Sequence, residues 1–183
     1  MSDQTKSPVS FPVNIARLPK KGMEVVIEAD EDQRAALAAA HDLRAVERFT
    51  AKLEVNSWKR GGVRVAGTVR VDIVQDCIVT LDPVSETVDE EVSALFLPEN
   101  SKLMVPRRSA EGEILLDAEG DDAPEPFTGD TVDVGQLAEE FFALGINPYP
   151  RKPGVAVEPA TGGGEDEKRG PLYEKLQALK KKT

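Results

Sequence analysis

From Phe49 to Ile73 the chain alternates between apolar and polar positions with a period of two. Phe49, Ala51, Leu53 and Val55 are interleaved with Thr50, Lys52, Glu54 and Asn56; beyond Gly61 and Gly62 the pattern resumes as Val63, Val65, Gly67, Val69, Val71 and Ile73. Successive side chains of a strand point to opposite faces, so this spacing predicts two long strands, each apolar on one side. A three-residue loop of Arg60, Gly61 and Gly62 keeps both apolar sets on one face, whereas an even-length loop would turn one of them to water. Position 59 then faces 63, which sets Phe49 beside Ile73 and Leu53 beside Val69. On the solvent face the same register sets Trp58 against Arg64 and Lys52 against Arg70.

The flanking sequence supplies further elements. "SFPVNIARL" (Ser10 to Leu18) and "GMEVVIEA" (Gly22 to Ala29) read as strands joined by the turn formers Pro19 to Gly22, and are expected to pair as an opening hairpin. Asp30 offers a capping oxygen to a helix with Gln33 closing the box; the thin stripe Leu37, Ala40 and Leu43 predicts a surface helix. Another strand, Val84 to Leu97, follows the Asp82-Pro83 turn, and "DAEGDDAPEPFTGD" (Asp117 to Asp130) reads as loop or disorder. Asp133 caps a second helix, with Gln136 as box partner and Val132 stapled onto Leu137. Leu137, Phe141 and Leu144, with Phe142 and Val134, form an apolar face that must dock on the sheet.

Assembled, these elements predict an α+β fold: an antiparallel β-sheet of about five strands, meander-like, packed by one or two helices, with a flexible acidic loop and a basic C-terminal tail. The expected organisation is a disordered N-terminus over 1–8, a single α+β domain over 9–149 with its acidic loop at 117–131, a Pro/Gly-rich linker over 150–170, and a basic helix or tail over 171–183. In that last segment Leu172, Leu176 and Leu179 follow Pro171 at helical spacing.

Charge adds to this picture. The net charge is −10, and between Arg108 and Arg151 there is no lysine or arginine, while acids run from Glu111 to Glu140. Lys168, Arg169, Lys175, Lys180, Lys181 and Lys182 reverse the sign at the end. No basic-then-apolar leader and no apolar run of about 20 residues is present, so the expected location is cytoplasmic, with no membrane partner.

Catalytic chemistry is not expected. The single histidine, His41, has no cysteine or serine motif near it and reads as a surface residue, and no glycine-rich phosphate loop occurs. Cys77, the only cysteine, continues the odd-numbered series that faces the core; Thr80, three residues on, would point the other way along an extended strand. A thiolate and a hydroxyl are a poor pair for zinc, so Cys77 is expected to be a structural thiol, with no metal and no cofactor. On the solvent face, Trp58 beside Lys59, Arg60 and Arg64 could stack a base and neutralise phosphates, or form only a cross-strand cation–aromatic pair.

The order of a Val-rich strand running into "DCIVTLDPV", a further strand, an acidic break, "TVDVGQLAEEFFALGINPYPRKPG" and a basic end "PLYEKLQALKKK" resembles the bacterial YceD family, the large ribosomal RNA subunit accumulation proteins. The resemblance runs from about Phe11 to Lys182. In many members the segment matching Cys77 to Pro83 holds two cysteines separated by two residues, which suggests metal binding for them; Thr80 stands in the second place here. The resemblance implies a non-enzymatic role in making or retaining 23S rRNA during large-subunit assembly. Two partners are open: rRNA itself, met through Trp58, Lys59, Arg60, Arg64 and the tail lysines Lys180, Lys181 and Lys182, or a basic ribosomal protein held by the acidic block, the chain then acting as adaptor or chaperone. No small-molecule substrate is implied.

Overall fold

In the computed structural model, which describes residues 6–101 and 124–155, the alternating stretch forms strands β3 (Ala45–Trp58) and β4 (Gly62–Asp76), joined by Lys59–Gly61. Before them lie β1 (Pro12–Asn14), β2 (Met23–Glu28) and helix α1 (Glu31–Ala40); after them come β5 (Pro83–Pro98), β6 (Glu125–Phe127), β7 (Thr131–Asp133) and helix α2 (Val134–Gly145). The main sheet has the order β2-β3-β4-β5-β6, antiparallel except for the β5–β6 pair, and β1 pairs with β7 in a separate ribbon. The fold is α+β. The chain divides into two units, Met1–Lys152 and Pro153–Thr183, and these strands and helices all belong to the first. The expected acidic loop up to residue 123 and the basic helix over 171–183 lie outside the described residues.

The hairpin keeps the predicted parity but not the predicted register. Trp58 pairs with Gly62, Phe49 with Val71 and Leu53 with Gly67, so the loop is Lys59, Arg60 and Gly61, one residue earlier than expected. Of the two adjacent glycines, Gly61 takes the left-handed conformation (φ +77°) and Gly62 is extended strand. Gly62 is confined by its neighbours: a Cβ there would lie 2.7 Å from Leu97 Cδ2 and 2.9 Å from the Phe96 carbonyl oxygen. A shift of whole pairs leaves every side chain on its face. Phe49, Ala51, Leu53, Val55, Val63, Val65, Val69, Val71 and Ile73 are therefore all buried.

Both helices cover that apolar face. α1 has the predicted capping box, Asp30 accepting from the Gln33 amide at 2.8 Å and the Gln33 side chain accepting from the Asp30 amide at 3.0 Å. It buries Leu37 and Ala38 while Ala40 is exposed. On α2 the buried stripe is Val134, Leu137, Ala138 and Phe142. Phe142 meets Phe49 edge-on with ring centroids 6.0 Å apart, and burying such a ring contributes about 1.5–3 kcal/mol. The expected face was rotated too far: Phe141 is half-buried and Leu144 is 81% exposed. The opposite face of the sheet is solvated, as antiparallel sheets allow, and carries the pairs Arg48–Asp72 (2.8 Å) and Arg70–Asp89 (3.2 Å).

The opening hairpin does not form. β1 lies beside β7, with Val13 opposite Val132, while β2 takes the free side of β3, with Val25 opposite Leu53. One carboxylate fixes this arrangement. Asp133 caps α2 by accepting from the amides of Gly135 (3.1 Å) and Gln136 (3.0 Å), and also accepts from the Phe11 amide (2.8 Å) and the Ser10 hydroxyl. Gln136 does not close a box; its side-chain amide donates to Glu140. Within the stretch expected to be loop, Glu125–Phe127 forms β6 against the end of β5.

Candidate functional site

The β3–β4 hairpin ends in Trp58, Lys59, Arg60 and Gly61. Arg60 adopts φ +55°, unusual for a residue with a Cβ, and is exposed at the tip of the turn. The Lys59 ammonium sits 5.5 Å from the centre of the half-buried Trp58 ring, so the cation–aromatic pair is local to the loop and not the cross-strand Trp58–Arg64 pair expected. Arg64 is exposed on β4 and lies between Asn56 of β3 and Leu95 of β5.

Pairing β2 with β3 adds two cations that the sequence pattern had hidden. The turn Pro19 to Gly22, closed by the Gly22 amide donating to the Pro19 carbonyl at 2.9 Å, delivers the chain to Met23, which faces Val55. Gly22 (φ +79°) abuts Asn56, where a Cβ would come within 2.9 Å of Asn56 Cγ. Gly22, Asn56, Arg64 and Leu95 thus form one row across the sheet, and the exposed Lys20 and Lys21 lie at the same end as Lys59, Arg60 and Arg64. "PKKG" was legible as a turn; its place was not, because the expected partner of β2 was β1.

These five cations differ from four others in the domain, while Lys6, Arg17, Arg34, Lys52 and Arg151 also form no ion pair among the described residues. Arg44 pairs with Asp76 (2.9 Å), Arg48 with Asp72, Arg70 with Asp89 and Lys152 with Asp82 (3.0 Å). Lys20, Lys21, Lys59, Arg60 and Arg64 form no ion pair among the described residues. In a chain of net charge −10, one end of the sheet therefore presents unneutralised positive charge beside an aromatic ring, a composition suited to phosphate and base. Lys180, Lys181 and Lys182 lie outside the described residues.

The other end of the hairpin pair is the connection from β4 to β5. Cys77 is fully buried as expected, but the strand stops at Asp76 and the chain turns, which corrects the expected opposition of Cys77 and Thr80. Cys77 N donates to the Asp82 carbonyl (2.8 Å), and Leu81 N, at φ +59°, donates to the Cys77 carbonyl (2.9 Å). Residues 147–152 lie against this turn: Ile78 N donates to the Pro150 carbonyl (3.0 Å), Lys152 N to Cys77 Sγ (3.5 Å), and the Gln75 side chain to the Asn147 carbonyl (3.0 Å). The Thr80 hydroxyl above all, then the amides of Lys152, Val79 and Thr80, lower the Cys77 thiol to about 6. The Lys152 ammonium holds the Asp82 carboxyl below its ordinary range.

Zinc does not fit this turn. It offers one thiol and one hydroxyl, its carboxylate is paired with Lys152, and no three His, Cys, Asp or Glu side chains converge as a metal site among the described residues. His41 is not the plain surface residue expected. It ends α1, meets Phe142 edge-on at 5.2 Å and pairs with Glu139 at 2.9 Å, which ties α1 to α2.

No helix among the described residues is long and apolar enough to cross a membrane. No curated protein and no solved structure matches the chain. Residues 65–181, more than half of it, match the family model described as large ribosomal RNA subunit accumulation protein YceD. That span takes in most of β4, the Cys77 turn, β5 and α2, and the chain belongs to the YceD family.

Proposed function

We propose that this chain is a non-enzymatic factor for large ribosomal subunit assembly that meets 23S rRNA through the basic end of its sheet. The family is named for accumulation of large-subunit ribosomal RNA, and the observation that carries the direct-contact reading is the clustering at one end of the sheet of five cations without carboxylate partners among the described residues, Lys20, Lys21, Lys59, Arg60 and Arg64, beside Trp58. Phosphate binding comes from local counterion release and not from the average charge, so a net-acidic protein binds RNA where its cations are free. The tail lysines Lys180, Lys181 and Lys182 would add to this surface. Salt titration against 23S rRNA fragments is the test: five phosphate contacts give a slope of log K against log salt of about −3.5 to −4.5. Replacing the five cations by alanine should flatten that slope while the melting temperature is retained. No detectable binding at low salt would end the direct-contact reading.

A second reading is favoured by the outer face of the sheet. Over Ala66 and Gly67 lies a depression of about 540 Å³ lined by Glu24, Glu54, Asp89 and Glu91, with Lys52 as its one cation. Such a face suits a basic ribosomal protein, held by an adaptor whose effect on rRNA is indirect. Tight binding of a basic ribosomal protein, with none to rRNA, would select it.

A further inference from the structure

β5 runs for 16 residues and pairs with β4 from Pro83 to Phe96 without a register shift. On its other side, among the described residues, it has only the three residues of β6, opposite Phe96, Leu97 and Pro98. Beyond that pairing, the Glu99 amide donates to the Phe127 carbonyl at 3.2 Å. Backbone groups of a strand alternate sides, and the register is unbroken, so the amides and carbonyls of Ser85, Thr87, Asp89, Glu91, Ser93 and Leu95 point outward along the same edge. An edge of this length is a template for another strand.

Its side chains state what kind of strand. β5 contains Glu86, Asp89, Glu90 and Glu91 and no lysine or arginine. Glu86 and Glu90 stand half-buried on the helix-covered face beside Val88 and Val92; Asp89 and Glu91 are exposed on the other. Like charges opposite one another destabilise strand pairs, so this edge disfavours a second copy of itself and the chain's own acidic stretch, and favours lysine or arginine on both faces of an incoming strand.

We propose that the outer edge of β5 from Ser85 to Leu95 receives an extended, basic segment of a partner protein as an added strand, main-chain hydrogen bonds supplying affinity and Glu86, Glu90 and Glu91 selectivity, since Asp89 is already paired with Arg70. The proposal rests on the adaptor reading in taking its partner to be a basic protein, but it locates the contact on backbone groups that reading does not require.

The test uses the full chain and a synthetic peptide of alternating lysine and valine as long as the free edge. The peptide should slow amide exchange at Ser85, Thr87, Asp89, Glu91 and Ser93. The same peptide with a methylated backbone, which keeps its charge but cannot pair, should bind roughly tenfold or more weaker, as should an alternating glutamate and valine peptide. Glu91→Pro removes an outward amide and no β4 bond, and should cause a similar loss with little change in melting temperature. Equal binding by the methylated peptide overturns the proposal even if Glu91→Pro fails to fold. Slow exchange of those amides in the free protein overturns it too, since the edge is then already occupied. If a basic ribosomal protein binds tightly and is indifferent to Glu91→Pro, the edge assignment fails and the adaptor reading stands.

Discussion

The two connections made by β4 lie at opposite ends of one sheet and are built on opposite plans. At the β3–β4 end the loop is three residues long, and among the described residues its cations are unpaired and its side chains make no hydrogen bond, only the Lys59–Trp58 contact. At the β4–β5 end one sulfur gathers the Thr80 hydroxyl and backbone amides, and a second segment, 147–152, is bonded on top. Polar groups satisfied inside the protein stabilise it and are closed to partners, whereas unsatisfied exposed charges contribute little to stability and are open to them. The cysteine end thus reads as architecture and the basic end as surface.

Substitutions should separate the two ends. Gly62→Ala should have the largest effect, about 1–3 kcal/mol by denaturant titration, because the added methyl meets both Leu97 and the Phe96 carbonyl in a close-packed row. A smaller cost would show that β5 can retreat from the hairpin. Cys77→Ala should lower the melting temperature by several degrees, a clear loss for so small a side chain, since it strands the donors that surround the sulfur. The effect should depend on pH. A thiol depressed from 9.0 to about 6 on folding contributes stability that is complete above the unfolded value and is lost as pH falls through the folded one. Wild-type stability should therefore rise between about pH 6 and pH 9 relative to Cys77→Ala, with the two curves parallel below about pH 6. Thr80→Val, which removes the hydroxyl that lowers the thiol most, should shift that rise upward. Lys21→Ala should barely change stability and should lower the salt slope of rRNA binding by about 1, as each phosphate contact does. Arg48→Ala, breaking an exposed pair on the outer face, should cost under about 1 kcal/mol and leave RNA binding unchanged.

What the sequence revealed follows the range of the forces involved. Local rules held: the two caps at Asp30 and Asp133, the long alternation of β3 and β4, and the odd loop parity are all settled within a few residues. The exact register turned on which of two neighbouring glycines adopted positive φ, and that was decided by Leu97, 35 positions from Gly62 along the sheet's next strand. Phe142 displaced Leu144 from the core because the docked helix is set by Phe49 and His41, which periodicity alone does not supply. Of the candidate site, Trp58, Lys59, Arg60 and Arg64 were visible as a cluster in one hairpin, but Lys20 and Lys21 join them only through the β2–β3 pairing. The bend that brings Thr80 to Cys77 was missed because alternation was extended past Asp76, where the ladder ends.

The bonds from Asp133 to Ser10 and Phe11 also set a timetable. They span 123 and 122 positions, so the first strand cannot reach its place until the start of α2 has been synthesised. Closing so long a loop is slow compared with forming the central hairpins, and at about 5–20 residues per second of elongation the delay lasts roughly 6 to 24 seconds. Through that interval the nascent chain carries Val9 and Val13 without the partners that later bury them, and its sheet without the Phe142 ring. The period of greatest exposure to aggregation or to chaperones therefore ends only when the segment from Asp133 to Phe142 has emerged and docked.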